Sequence, residues 1–446
     1  MATYVQDMTK GNETTHLIKF AIPMLIGNIF QQVYNVVNSV VVGKYVGDTA
    51  LAGVGIVGSL SFLFFSICVG LSVGIGIVVA HYFGAKEETL IKKAIGNAVY
   101  ILTITGVIMG LLGIVLAKPI LLLMGTPEAV LPYAHTYMQI ISSGTIFVAG
   151  YNGISAILRS LGDTKTPLIF LGLSSLVNVS LDLFFVTQLQ MGVAGAALST
   201  VLSQGFAALG SILFAIKVNP YLKLKRSHFK IDKGIIKKSV QVGVPVGLQY
   251  AFIAVSILAL QSVVNSFGEI TMAAYTATTR IEQLIQQPFN SIGAAVATFT
   301  GQNMGNGNIK RVQSGLAKSV KLVVIFSVVA YTIFFFTSKT IIGGFISNPE
   351  SIALGARALR ITSLFYVALG LIYVTRGLLN GAGDGAYALV NGLIEVVGRV
   401  GFSLILVQIP GVGVWGIWLT TGMTWLITGI AGIVRYRQGK WKNIRL

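Results

Sequence analysis

The sequence predicts an all-α membrane protein with twelve transmembrane helices in two pseudo-symmetric six-helix lobes. The first observation is composition: of 446 residues, 54% are hydrophobic and only 10% are charged, whereas soluble domains carry about 25% charged residues. The second is that apolar stretches long enough to cross a bilayer, which takes about 20 residues, recur twelve times along the chain. The third is that landmarks of the first half return in the second half at a nearly constant spacing.

The twelve apolar stretches are joined by short loops, and several exceed the minimum span, so tilted or protruding helices are expected. The first stretch is rich in amides and has no small-residue cleavage site after it, so it is interpreted as a retained helix rather than a signal peptide. In the second stretch, Gly70 and Gly74 have the spacing at which membrane helices approach closely. The predicted spans are 16–43, 50–82, 93–117, 130–158, 166–188, 192–216, 235–266, 271–302, 310–337, 351–380, 386–408 and 412–436.

Positive charge alternates between the two sets of loops. Basic residues concentrate after the second, fourth, sixth, eighth and twelfth predicted spans, and the loops on the other side offer only Lys44, Lys118 and Lys339. Because cytoplasmic loops are rich in Lys and Arg, this predicts a multi-pass protein of the cell (inner) membrane with both termini cytoplasmic. The net charge of +18 then indicates orientation and contact with the lipid bilayer, and not a nucleic-acid partner.

Internal repetition divides the chain into halves. The segment that starts at Gly192 matches the one that starts at Gly413, and Pro23 matches Pro245, so both pairs are separated by almost the same length of chain. Six helices in each half make the repeats parallel, related by an axis along the membrane normal. The predicted domains are a six-helix lobe at 1–216, a basic cytoplasmic linker at 217–234, a second six-helix lobe at 235–436 and a basic cytoplasmic tail at 437–446.

The fifth predicted span carries the most informative polar residues. Asp182 and Asn178 lie one helical turn apart in an apolar stretch, and a carboxylate at membrane depth costs roughly 2.5–3.5 kcal/mol on insertion scales. Such a residue is typical of an ion, proton or substrate site, with a helix–helix hydrogen bond as the structural alternative. The first span adds an amide-rich face that includes Gln31, Asn35 and Asn38, which has to point into a bundle or a water-filled cavity.

Three of these spans bring oxygen-bearing side chains to similar depth. At 1.5 Å per residue, Asn38, Asp182 and Thr200 lie about 8, 9 and 12 Å from the predicted outer ends of their helices. Oxygen donors from three helices of one lobe could surround a hard cation such as Na⁺. A carboxylate at this depth could instead carry a proton.

A set of motifs spread over the whole chain resembles one transporter family. The motifs are Pro23, the run Gln31-Gln-Val-Tyr-Asn-Val-Val-Asn-Ser-Val-Val-Val-Gly43, Leu158-Arg-Ser-Leu-Gly-Asp163, Arg280-Ile-Glu282, Gly301-Gln302 and Gly381-Ala-Gly-Asp384. Together they resemble the multidrug and toxic compound extrusion (MATE) family. Within it, they are most similar to the bacterial branch that includes the DNA-damage-inducible F-type members.

The resemblance implies cation-coupled export and a cation site in the first lobe. Related members build that site from an Asp on helix 1, an Asn and an Asp on helix 5 and a Thr on helix 6. The last three correspond to Asn178, Asp182 and Thr200, but the first corresponds to Asn38, which cannot titrate. This departure weakens a proton mechanism with two carboxylates. It leaves a Na⁺ site of net charge −1, which is favoured, or a proton site at Asp182 alone.

The second lobe has buried charges of its own. The i,i+4 spacing of Glu395 and Arg399 predicts a structural ion pair, and Glu282 could meet a cationic substrate or carry a proton. The acids that another branch of the family has on helices 7 and 10 are missing, which argues against a second cation site. The candidates for lining a substrate cavity, where cation–π attraction contributes about 0.5–2 kcal/mol, are Gln31, Tyr34, Asn35, Tyr151, Arg280, Glu282, Gln287 and Tyr366.

The leading hypothesis is a secondary antiporter that exports small organic compounds, cationic and amphipathic ones above all, in exchange for Na⁺ or H⁺ as its two lobes rock. It is expected to be a monomer, to need no cofactor and not to be an enzyme. No phosphate-binding loop is present, so ATP drive is not expected, and the single cysteine excludes an intrachain disulfide. Two alternatives stay open: a lipid-linked oligosaccharide flippase with Arg280 and Arg376 in its cavity, and an intramembrane enzyme, for which no nucleophile–base set is visible.

Overall fold

The structure is a computed structural model that describes residues 4–446, and this part of the chain contains fourteen α-helices and no strand. Seven helices make up the first half. Their bounds are α1 Glu13–Tyr45, α2 Asp48–Gly84, α3 Glu88–Leu123, α4 Leu131–Ser143, α5 Thr145–Ser160, α6 Lys165–Leu183 and α7 Gly192–Val218.

The second half has a similar succession of seven helices. Its bounds are α8 Lys233–Asn265, α9 Glu269–Gly305, α10 Ile309–Gly343, α11 Pro349–Ser363, α12 Tyr366–Gly381, α13 Gly385–Leu406 and α14 Gly416–Arg437. Each predicted span begins and ends within a few residues of a helix end, because runs of apolar residues end where polar loops and Gly or Pro residues begin.

Two of the predicted spans are bent in the middle. α4 and α5 meet at 49°, and α11 and α12 meet at 50°. The first break falls at Gly144, and the second falls at Leu364 and Phe365, the corresponding place in the repeat. Nine of the described helices are long and apolar enough to span a membrane, and each bent pair adds one more. With α9, which has 37 residues and several polar ones, this gives the twelve helices of the predicted fold class, in two repeated sets of six.

The described chain forms two compact units. One consists of residues 4–7, 22–251 and 446, and the other of residues 8–21 and 252–445. The division therefore falls inside α1 and inside α8, and the predicted linker at 217–234 lies within the first unit. That segment is held on α3, where Asn97 accepts from the Asp232 backbone N–H at 2.9 Å and Tyr100 donates to the Phe229 carbonyl at 3.0 Å.

Glycines allow a close contact within the first unit, between α2 and the first part of α8. A side chain at Gly70 would overlap the backbone of Gly247, and a Cβ at Gly74 would lie 2.6 Å from the Cα of Gly243. The two helices therefore touch backbone to backbone, as the spacing of Gly70 and Gly74 predicted.

The start of α1 belongs to the second unit and is tied to it by charge. Glu13 lies 2.5 Å from Lys318 Nζ and 3.3 Å from Arg311 on α10. One turn before the helix, the Met8 backbone N–H donates to Gln302 Oε1 at 2.8 Å. Since an exposed ion pair contributes only about 0.2–1 kcal/mol, the backbone contacts and the buried Met8 side chain contribute at least as much to this attachment.

Candidate cation-binding site

The carboxylate of Asp182 is the centre of the candidate site. Asp182 is the penultimate residue of α6 and is fully buried. Ser199 on α7 donates its hydroxyl to Asp182 Oδ1. With the amide of Asn178 oriented to satisfy both of its groups, its nitrogen donates to Asp182 Oδ2 at 2.9 Å and its oxygen accepts from the Thr200 N–H at 3.2 Å. Among residues 4–446, no Lys, Arg or His forms an ion pair with Asp182.

α1 closes the other side of this cluster. Asn38, which is buried, donates from Nδ2 to Thr200 Oγ1 at 3.4 Å, and Tyr34 donates its hydroxyl to the same oxygen at 3.4 Å. The Thr200 hydroxyl is itself held one turn back by the Ala196 carbonyl at 3.0 Å. The structure therefore brings Asn38, Asn178, Asp182 and Thr200 together within the first unit.

Two members of the cluster were not singled out from the sequence. Ser199 precedes Thr200 on α7 and is fully buried, and it donates to the carboxylate although its neighbour was the predicted ligand. Tyr137 on α4 is buried next to Thr200, Tyr34 and Asp182. A serine beside a predicted ligand could have been noticed, but an aromatic residue in an apolar span usually indicates packing, so nothing pointed to Tyr137.

The backbone changes its winding directly after Asp182. Residues Phe184–Gln188 form a π-helical turn, in which the Leu189 N–H donates to the Phe184 carbonyl at 3.1 Å. The chain then turns through Gln190, whose φ of 52° is unusual for a non-glycine residue. Such π turns are frequent at functional sites, and this one ends the helix that positions both Asn178 and Asp182.

The chemistry of the cluster suits a small hard cation or a proton. Its side chains offer one carboxylate, two amides and several hydroxyl oxygens, with a net charge of −1. A buried carboxylate without a cationic partner is costly, and hydrogen bonds from Ser199 and Asn178 offset only part of that cost. A bound Na⁺ or a proton on Asp182 would remove the remaining charge.

The other substrate-cavity candidates of the first unit are spread more widely. Gln31 and Asn35 are exposed on α1, and Tyr34 is half-buried beside Thr200. Tyr151 donates its hydroxyl to the Pro167 carbonyl at 3.1 Å, so this side chain connects α5 to the first turn of α6. The hydroxyl of Tyr151 is therefore engaged with the backbone of α6.

In the second unit, two of the candidates share a buried region. Glu282 and Tyr366 are both buried and both lie beside Thr362, although neither Glu282 Oε1 nor the Tyr366 hydroxyl completes a hydrogen bond of good geometry within residues 4–446. Arg280 is exposed and lies in a groove with Met272 and Phe345. Gln287 donates to the Gln283 carbonyl at 2.9 Å, one turn earlier on α9. The structure therefore separates Glu282 and Tyr366 from Arg280.

The predicted pair of Glu395 with Arg399 is corrected by the structure. Glu395 forms its ion pair with Arg376, which reaches across from α12 and also donates to Asn391 Oδ1 at 2.7 Å. Arg399 instead donates from Nη1 to Ser256 Oγ on α8 at 2.5 Å. The reason is tertiary, because a guanidinium from the facing helix α12 meets the carboxylate directly, while Arg399 bonds to a residue of α8 instead.

Twelve spans in two repeated halves, with a carboxylate buried among oxygen donors in the first half, define a duplicated multi-pass membrane protein. The profile of the MatE family matches residues 23–184 and again residues 245–405, which is more than half of the chain. The chain belongs to the multidrug and toxic compound extrusion family of membrane efflux transporters, as its motifs predicted. The two matched segments begin at Pro23 and Pro245, the pair of prolines that marks the internal repeat.

Curated relatives extend this likeness over the whole chain. The "Probable multidrug resistance protein YpnP" of Bacillus subtilis (strain 168) is 33% identical over 443 residues, covering 99% of this chain and 98% of the relative. The "Probable multidrug resistance protein NorM" of Thermotoga maritima is 25% identical, covering 96% and 93%. A solved structure described as an "Outward-facing conformation of a multidrug resistance MATE family transporter of the MOP superfamily" has a TM-score of 0.91 at 23% identity. It covers 98% of both chains, and it supports the fold alone.

Proposed function

We propose that the protein is a secondary antiporter that exports small organic compounds in exchange for Na⁺ or H⁺, and that it is not an enzyme. The observation that carries the proposal is Asp182, which is buried without an ion-pair partner among oxygen donors from α1, α6 and α7. The names of the relatives support an organic substrate. For this chain, amphipathic cations are the proposed class, and membership of the F-type branch stays a prediction.

Na⁺ is the favoured coupling ion. Asn38 lends a neutral oxygen where a second carboxylate would allow two protonations, and Thr200 and Ser199 add hydroxyl oxygens of the kind that alkali cations accept. Protonation of Asp182 alone would also neutralise the cluster. Both ions therefore act on the same group, and transport measured under separate Na⁺ and pH gradients distinguishes them.

The proposed cycle depends on a change in packing at three helices. A cation that enters from outside binds at Asp182 and draws the oxygens of Asn38, Asn178 and Thr200 towards it. This rearranges α1 against α6 and α7, and the substrate is released as the lobes rock. Loss of the cation on the cytoplasmic side, where both termini are placed in this proposal, returns the protein to its substrate-loading state.

The two arginines on which the flippase alternative depended have other surroundings in the structure. Arg376 is engaged by Glu395 and Asn391, and Arg280 is exposed in a groove on α9. Neither arrangement favours a cationic cavity for a pyrophosphate. No observation on residues 4–446 favours the enzyme alternative, and antiport by a monomer remains the proposal.

The test is substrate export by Asp182→Asn protein in proteoliposomes with Na⁺ and pH gradients imposed one at a time. Asparagine keeps the size of the side chain but removes its charge, so export driven by the coupling gradient is expected to fall at least tenfold, while the substrate still binds. The matched control is Asp163→Asn, which changes an acidic residue that caps the start of α6, far from the cluster. Undiminished gradient-driven export by Asp182→Asn would rule out the proposed role of this carboxylate.

A further inference from the structure

The repeat allows the cation cluster to be compared with its counterpart in the second unit. α13 repeats α6 and α14 repeats α7, both with the shift that relates Gly192 to Gly413. α8 repeats α1 with the shift that relates Pro23 to Pro245. The residues of the second unit that stand in place of the cluster are Arg399 for Asn178, Ser403 for Asp182, Thr420 for Ser199, Thr421 for Thr200, Ser256 for Tyr34 and Leu260 for Asn38.

The second unit has corresponding helices at these positions, but it has a cationic side chain in place of Asn178 and a neutral one in place of Asp182. Arg399 is buried, with 6% of its surface exposed, and its Nη1 donates to Ser256 Oγ at 2.5 Å. The partner is therefore the residue that corresponds to Tyr34. A small serine at this position leaves the volume that a guanidinium needs, and Leu260, which is buried, replaces the amide of Asn38. The second unit thus holds a cationic group between α13 and α8. These helices correspond to α6 and α1, which carry Asn178 and Tyr34 in the first unit.

The counter-charge comes from a different helix. Glu282 on α9 is buried and within electrostatic range of Arg399. Glu395, which lies four residues before Arg399 in the sequence, is paired with Arg376 instead. Glu282 Oε1 has no hydrogen-bond partner among the described residues. Glu282 therefore lies beside Thr362 and within electrostatic range of the Arg399 guanidinium, with which it forms no ion pair, whereas Asp182 in the first unit has no cationic side chain of this kind near it.

We infer that Arg399 is a built-in replacement for the coupling cation in the second unit. Its guanidinium supplies there, permanently, the positive charge that the first unit takes up and releases. The protein then couples export to cation binding in one unit only, and Arg399 is the residue that determines this. The inference rests on the proposed function, because it needs the cluster around Asp182 to be the site of the mobile cation.

The first experiment copies the second unit's arrangement into the first. The full-length double variant Tyr34→Ser with Asn178→Arg places a guanidinium beside Asp182, with the space that Ser256 provides in the second unit. The melting temperature of purified protein is followed against Na⁺ concentration at fixed pH, and against pH at fixed Na⁺. The wild-type protein is expected to be stabilised by one of the two cations. The double variant is expected to lose that shift and to melt no lower than the cation-loaded wild type.

The matched control is Tyr34→Ser with Asn178→Gln, which is long and polar but uncharged. It is expected to melt lower than the arginine variant in the absence of the cation, because Asp182 again lacks a fixed positive partner. This comparison uses the melting temperature alone, since Asn178 and Tyr34 belong to the proposed cation cluster. A double arginine variant that keeps the wild-type cation shift would overturn the inference. The same holds if it fails to fold while the glutamine variant folds, since the two scaffolds would then not be interchangeable.

The second experiment removes the fixed charge. Arg399→Gln leaves Glu282 without its cationic neighbour, so a second cation-dependent rise in melting temperature is expected in addition to that of the wild type. Arg399→Lys keeps the charge and is expected to show a single rise. If Arg399→Gln folds and responds to cations as the wild type does, Glu282 needs no counter-charge and the inference fails.

These outcomes are distinct from those that test the proposed function. A wild-type protein without any cation shift, or an Asp182→Asn variant that retains it, would remove the site in the first unit. Even without a site in the first unit, a new cation response in Arg399→Gln would show that Arg399 supplies the positive charge next to Glu282 in the wild-type protein.

Discussion

At the scale of single residues, the site depends on how a buried carboxylate is solvated by its neighbours. Asp182 receives hydrogen bonds from Ser199 and from the amide of Asn178, and a hydrogen bond to a charged group contributes about 1.5–3 kcal/mol. These hydrogen bonds offset part of the free-energy cost of burying the Asp182 carboxylate, but they leave its negative charge unpaired. The proposed coupling cation would therefore be attracted to the site and would still be able to leave it.

Ser199→Ala tests this balance. Removal of the hydroxyl takes away one donor to Asp182 and one oxygen near the cation, so the concentration of coupling cation that gives half-maximal export is expected to rise by roughly tenfold or more. The measurement is export by proteoliposomes against cation concentration. Ser203→Ala is the control, because its hydroxyl bonds only the Ser199 carbonyl at 2.6 Å, one turn along the same helix. An equal effect of both substitutions would contradict a specific role for Ser199.

The same scale shows where reasoning from spacing stops. The i,i+4 spacing indicated a pair between Glu395 and Arg399, but a pair of this kind on one helix contributes only a few tenths of a kcal/mol. Arg376 arrives from α12 and pairs with Glu395 while also donating to Asn391. Several hydrogen bonds in a buried setting outweigh one contact along a helix, so the partner from another helix is selected.

At the scale of helices, glycine decides how closely two of them approach. Gly70 and Gly74 on α2 meet Gly243 and Gly247 on α8, with no side chain between the backbones. The breaks in α4–α5 and in α11–α12 occur at corresponding positions, although glycine is present only at the first. The repeat has therefore kept the bend where the residue type has changed.

Gly74→Leu is expected to separate α2 from α8. A Cβ at this position would already lie 2.5 Å from the Ser239 carbonyl oxygen, and overpacking of this kind costs about 1–3 kcal/mol or more. The yield of monodisperse protein and its melting temperature are both expected to fall. Gly58→Leu on the same helix is the control, because a Cβ there meets nothing within 4 Å. A Gly74→Leu protein as stable as the control would show that the close contact is dispensable.

At the scale of the whole molecule, charge and repetition define the arrangement. The repeat appears in the two segments matched by the family profile and in the paired helix lengths. The first part of α1, residues 13–21, nevertheless belongs to the second unit. The first part of α8, residues 233–251, belongs to the first unit. Each repeat is therefore completed by a segment from the beginning of the other.

The predicted orientation can be tested with single cysteines. Glu128 and Glu350 are exposed at the predicted outer side, and Ser227 and Asn306 are exposed at the predicted cytoplasmic side, so each is replaced by cysteine in turn. A membrane-impermeant maleimide is expected to label the first two in intact cells and the last two only after permeabilisation. The wild-type protein is the control, because its one cysteine, Cys68, is buried. Labelling in the reverse order would invert the topology.

The sequence by itself determined the twelve spans, the duplication and the family, because a bilayer imposes length and polarity on each segment separately. It also indicated four residues of the candidate site, through a carboxylate and amides that have no place against lipid. Only the tertiary structure decided that Ser199 and Tyr137 join them, that Glu395 pairs with Arg376, and that the units divide inside α1 and α8. Those outcomes depend on which helices become neighbours and on how far each side chain reaches. The hydrophobic pattern of a single segment specifies neither.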